Sequence, residues 1–138
     1  MLPAAVGGRP IVETPDAERS TAADASVARD VERLAVGYVA SANAADWAIA
    51  SVAALRPGAW SDAFYRDWRD SYDSAICAPR GGVAGNASVT IGGRVVDIAT
   101  CGPLHTYHVH LPTRDVIVSV ASVGDGRYGE QVMAGLRP

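Results

Sequence analysis

At 138 residues the chain has the size of one ordinary domain, long enough to bury a core without a structural metal or a dense disulfide framework. Its 49% hydrophobic and 20% charged residues exclude the depleted, highly charged profile of disorder, and a net charge of −3 gives no basic face for nucleic acid or anionic lipid. No apolar run approaches the roughly 20 residues needed to cross a bilayer, so no nucleic-acid partner and no membrane insertion of this segment are expected.

In chain order, residues 1–14 carry Pro3, Gly7, Gly8 and Pro10 with little periodicity and read as a flexible lead-in to a single α+β domain over 15–138. Thr14-Pro15-Asp16 or Thr21-Ala-Ala-Asp24 can cap a helix. Val27, Val31, Leu34, Ala35, Tyr38, Val39 and Ala42 follow at helical spacing. Asn43 ends that helix, Asp46 caps a second through Trp47, Ile49, Val52, Ala53 and Leu55, and Arg56-Pro57-Gly58 stops it. Ser61 or Asp62 opens a third, with Phe64, Tyr65, Trp68, Tyr72 and Ile76 on one face and Arg66, Asp67, Arg69, Asp70 and Asp73 on the other.

Beyond a glycine-rich loop the period changes to two. Val89 and Ile91 alternate with Ser88 and Thr90, Gly92-Gly93 makes a two-residue hairpin turn, and Arg94 to Thr100 runs back. His105 to Leu111 is a third strand, with Tyr107, Val109 and Leu111 on one face and Thr106, His108 and His110 on the other. Val116 to Val123, apolar on both faces, reads as central or covered. Glu130 to Leu136 forms a last helical turn or two. The expected architecture is therefore N-terminal helices packed on a four-stranded antiparallel sheet, with one disulfide.

Two cysteines far apart in sequence, each beside a turn, suit a structural Cys77–Cys101 disulfide and hence an oxidising compartment. The start of the chain shows no basic region followed by a hydrophobic stretch. It fits either a complete cytosolic protein or the exported part of one whose leader has been removed, and the cysteines favour export.

The run Tyr38-Val-Ala-Ser-Ala-Asn-Ala-Ala-Asp46-Trp47, followed by Leu55-Arg-Pro-Gly-Ala59-Trp60, resembles the start of nuclear-transport-factor-2-like domains: helix, short break, Asp-led helix, proline-glycine break. The resemblance implies helices packed into the concave face of a curved sheet. It also implies either a small enzyme with an Asp, His or Tyr in the cone or a non-enzymatic exported domain. The chain departs from that pattern in closing on Gly129 to Leu136 instead of a long strand with a Trp.

Four groups of residues are candidates for chemistry. His108-Val-His110 puts two imidazoles on one strand face at metal-ligand spacing, and Gly102, His108, His110 and Asp115 are spaced similarly to the first motif of cupins, whose second motif is missing. A polar, solvent-facing strand side explains the same pattern without metal. Cys101 with His105 and His108 could contribute to a zinc site only if the thiols are free. Asp97, between Val96 and Ile98, is the first candidate acid or base, with Tyr107 as a candidate partner. Finally, Gly124-Asp-Gly126-Arg-Tyr-Gly129 spells a dinucleotide-loop pattern but lacks the helix, strand and acidic residue that must follow, so it reads as a glycine-rich turn. No nucleophile–base motif and no cofactor signature appear. The favoured reading is an exported binding or accessory domain for a protein partner or a small apolar ligand, with a homodimer allowed. The alternative is a small enzyme using Asp97, His108 and His110.

Overall fold

The computed structural model describes residues 1–137. Short strands β1 (Ala5–Val6), β2 (Arg9–Pro10) and β3 (Val12–Glu13) precede helices α1 (Pro15–Ala22) and α2 (Ala25–Asp30). Strands β4 (Val31–Ala40) and β5 (Trp47–Leu55) come next, then helix α3 (Asp62–Cys77) and a 3₁₀ turn over Ala78–Arg80. Strands β6 (Gly85–Ile91), β7 (Arg94–Cys101), β8 (Leu104–Leu111) and β9 (Val116–Val123) and helix α4 (Tyr128–Ala134) complete the chain. β1 and β2 pair with each other, while the other seven strands form one antiparallel sheet in the order β3-β4-β5-β9-β8-β7-β6.

The expected four-stranded sheet under N-terminal helices is thus corrected: the fold is α+β, but its sheet has seven strands, and the two segments read as helices over 27–42 and 46–55 are β4 and β5. Each has a physical reason for its disguise. In β4 the register shifts between Val31 and Arg33, so Val31 and Leu34, three residues apart, both pack in the cluster beneath α3. A bulge therefore counterfeits helical spacing. In β5, an interior strand, Ala48 and Ala50 are buried on one face and Ala53 on the other, and a strand covered on both sides shows no period-two signal. Its alanines read as helix formers, yet they are present because both faces are closely packed. The residues that carry the resemblance to nuclear-transport-factor-2-like domains are these strands and their connections.

The C-terminal half matches expectation closely. Gly92 and Gly93 have φ of +58° and +78°, the conformation a tight hairpin turn demands and that only glycine adopts without strain, and they join β6 to β7. Helix α3 starts at Ser61, whose Oγ accepts from the Phe64 N–H at 3.0 Å, and ends at Cys77, which is disulfide-bonded to Cys101 at the end of β7. The first 14 residues, read from the sequence as a flexible lead-in, contain β1, β2 and β3 and place Val6 in the core.

The sheet separates two layers. On one face α4 and the N-terminal segment cover Val39, Ala48, Ala50, Val96, Tyr107, Val109, Val118 and Val120. On the other, α3 lies across β7, β8 and β9, with Val31, Ala53, Leu55 and Ile117 beneath its N-terminal turns and the disulfide beneath its last. No helix among the described residues is long and apolar enough to cross a membrane.

Candidate functional site

Strand register builds a polar row across the face under α3. Ser88 pairs with Asp97, Asp97 with His108, His108 with Ser119, and Ser119 with Ser51, so five strands in succession contribute one polar side chain each. Helix α3 grips this row with Tyr65, Trp68, Arg69, Tyr72 and Asp73, which recur at the three- and four-residue spacing of one helical face.

At its centre, His108 Nδ1 lies 2.8 Å from Ser119 Oγ and Nε2 lies 2.8 Å from Asp73 Oδ1, and Thr106 Oγ1 donates to the same carboxylate oxygen at 2.6 Å. The Trp68 indole N–H donates to Ser119 Oγ at 3.1 Å. Because a carboxylate only accepts, Nε2 is the ring nitrogen that carries the N–H and donates to Asp73. Ser119 and Thr106 are fully buried, His108 is 1% exposed and Asp73 6%. Serine, histidine and aspartate stand in line here as in a hydrolase, but the serine oxygen already serves an indole and no substrate carbonyl can reach it. The arrangement ties a helix to a sheet.

Toward β6 the row opens into a polar cleft of about 300 Å³ lined by Arg69, Asp70, Asp73, Asn86, Ser88 and Asp97. Asp97 accepts from Ser88 Oγ at 2.7 Å and Tyr65 Oη at 3.2 Å and pairs with Arg69 Nη1 at 3.1 Å. The guanidinium also lies over the Tyr65 ring, 4.7 Å from its centroid, and its buried Nε makes no hydrogen bond. Burial, then the Asp97 charge, pushes the Tyr65 phenol well above its ordinary value. Burial does the same to Tyr72, which meets His108 edge-on. Arg69 and Asp73, expected on the outer face of α3, are thus turned inward.

The sequence candidates therefore fall in different places. Asp97 and His108 are cross-strand neighbours under α3, a pairing the sequence reading did not make, and the strand face read as meeting solvent is covered. His110 shares that face, yet its ring stacks on Trp60 at 3.6 Å and its Nε2 lies 3.0 Å from Asp115 Oδ1, so the two imidazoles face separate partners. Among the described residues no group of three His, Cys, Asp or Glu side chains is placed to hold a metal ion, and the disulfide removes Cys77 and Cys101 as thiolate ligands. Tyr107 lies on the opposite face of the sheet, apart from Asp97. Asp73 was read as an outward charge and Tyr65 as part of the packed stripe, and neither they nor Ser119 were singled out as site residues. The signal for Ser119 was available: a lone polar residue amid Val116-Ile-Val and Val120-Ala in a strand covered on both sides.

A second concavity, about 740 Å³, lies on the face of Tyr107, between β6 and β7 and the residues that lead from β9 into α4. Val89, Ile91 and Ile98 form its floor, and His105, Asp125, Arg127 and Glu130 its rim. Burial raises the Tyr107 phenol above its usual range, Glu130 adds to the effect and Arg127 opposes it. The glycines of the dinucleotide-like pattern shape this rim. Gly124 has φ +112°, the Gly126 N–H donates to Asp46 Oδ1 at 2.6 Å, and Gly129 packs so closely on the Tyr107 ring that a Cβ would overlap it. No protein-family model, curated protein or solved structure matches the chain.

Proposed function

We propose that the chain is an extracytoplasmic binding domain that holds a small amphipathic molecule in the groove beside α4. The observation that carries this reading is the groove itself: a concavity of ligand size with a partly uncovered apolar floor of Val89, Ile91 and Ile98 and a charged rim of Arg127, Glu130 and Asp125. Enzymatic use of Asp97, His108 or His110 draws no comparable support. Each is already engaged within the protein, and His108 is closed to solvent. The disulfide supports the oxidising compartment.

The fluorescent amphiphile 8-anilinonaphthalene-1-sulfonate tests the reading. The folded protein is expected to bind it saturably with a blue-shifted emission. Ile98→Asn, which places an amide on the floor, should weaken binding about tenfold, the factor expected for losing about 1.4 kcal/mol of apolar contact. Binding that is unsaturable, or unchanged in Ile98→Asn, overturns the proposal.

A further inference from the structure

The two edges of the large sheet are treated differently by the chain. Along β4, β3 pairs with Tyr38 and Gly37. Beside it, the Thr14 N–H donates to the Val36 carbonyl and the Val36 N–H donates to Glu18 Oε1 at 2.9 Å. That edge is short, acidic and capped by a helix, the devices that keep strands from pairing with another chain. The other edge, β6, has none of them. Its sequence Gly-Asn-Ala-Ser-Val-Thr-Ile carries no charge and no proline, six of its seven residues are exposed, and β7 is its sole partner.

The hairpin fixes which backbone groups remain unspent. A two-residue turn makes Ile91 and Arg94 a hydrogen-bonded pair, so Ile91, Val89 and Ala87 direct their N–H and C=O groups toward β7, while Thr90, Ser88 and Asn86 direct theirs outward. We infer that this edge pairs with β6 of a second copy, antiparallel and about a twofold axis at Ser88. The register is self-complementary. Asn86 meets Thr90 of the second copy, Ser88 meets Ser88, and the three outward-facing residues of each strand exchange about six backbone hydrogen bonds.

The side chains agree on both faces. Ala87 meets Val89, and Gly85 meets Ile91, so small opposes large in the apolar row, while Asn86, Ser88 and Thr90 supply hydroxyls and an amide to the polar row. The absence of charge favours a copy of the same strand over a charged peptide, because like meets like across the axis without repulsion. A ladder of seven residues falls below the roughly 1,200 Å² of a standard interface, so the dimer is weak and concentration-dependent. Where it forms, Ala87 and Val89 of the second copy extend the groove floor beyond Val89. That consequence alone rests on the proposed function, and the pairing does not.

Sedimentation velocity over a concentration series from about 10 µM to about 1 mM tests the pairing, because weak dimers of this size dissociate within that range. The mass should rise from that of the 14.3 kDa chain toward twice that value. Asn86→Lys with Thr90→Lys sets like charges opposite each other twice and should hold the protein monomeric. Asn86→Lys with Thr90→Glu sets opposite charges in the same register and should keep the dimer. A chain that stays monomeric throughout, or two double variants that behave alike, overturns the inference. Amide exchange on the unmodified chain is an independent check: the Asn86, Ser88 and Thr90 amides should gain protection with concentration, and failure to do so overturns it equally. The dye-binding measurement, made on dilute monomer, is read separately.

Discussion

The two faces of the sheet are held to their helices by different forces. Under α4 the contacts are apolar, with Val118, Val120, Val132 and Met133 at or below 1% exposure, and such a layer tolerates a lost methylene by degrees. Under α3 the centre is a hydrogen-bonded set, Asp73, His108, Thr106, Ser119 and Trp68, in which each group satisfies another. A polar layer of this kind is intolerant in a different way, because removing one member leaves buried donors with nothing to bond. The lesson is that polar residues in a row suggest a site to a reader of sequence, whereas full mutual satisfaction makes them a structural clasp.

The largest effect that would break this contrast is expected at Asp73. Asp73→Ala leaves both His108 Nε2 and the Thr106 hydroxyl buried without an acceptor, and at about 1–3 kcal/mol for each such group the loss should be about 4 kcal/mol in a urea titration. A loss under about 1 kcal/mol would mean that water replaces the carboxylate and that the layer is open to solvent after all.

A smaller loss is expected at Trp68, which is only partly buried but both packs on the cluster beneath α3 and donates to Ser119. Trp68→Ala should cost about 3 kcal/mol, near the low end for a large aromatic, whereas Arg66→Ala on the exposed face should cost under about 0.5 kcal/mol. Equal effects would dissolve the distinction between the two sides of α3. Arg69 is unsuitable as the silent control because it pairs with Asp97.

The smallest effect sharpens the contrast by pH. Burial raises the Tyr72 phenol above its ordinary value of about 10, so above that pH the unfolded chain releases a proton that the folded chain retains. Stability from this source is intact below about pH 10 and falls as pH rises further. Tyr72→Phe should change stability by under about 1 kcal/mol at neutral pH yet flatten the decline between about pH 10 and 11, followed by urea titration at each pH. An unchanged alkaline slope would place the ring in water.

Legibility in the sequence divides at about the start of α3. From there the periods are unbroken, and α3, the β6–β7 hairpin, β8, β9, α4 and the Cys77–Cys101 bridge can all be read from residue spacing and turn chemistry. Before it, the β4 bulge and the double burial of β5 erase alternation, so local pattern pointed to helix where non-local pairing dictated strand. The same division runs through the site. Asp97 was legible because its neighbours Val96 and Ile98 alternate with it. Asp73 was not, because on a helix with Asp67 and Asp70 nearby it looked like one more solvated charge, and only the strands show which acid is covered.

The β5–β9 ladder joins the two halves at the middle of the sheet, and it brings Ser51 to Ser119 across 68 residues. Folding must therefore close a long loop before the sheet has a centre, and topologies of that kind fold slowly. The β4–β5 hairpin and the β6–β9 meander can each form from neighbouring chain. Yet β5, apolar on both faces apart from Ser51, keeps its second edge unpaired until the meander arrives. The disulfide, bridging residues 24 apart within that loop, shortens the path by roughly a third, which loop-closure entropy values at only about 0.4 kcal/mol. Oxidation before collapse thus secures the end of α3 while doing little to hasten the central ladder, and the interval in which that β5 edge stays unpaired is set by chain topology.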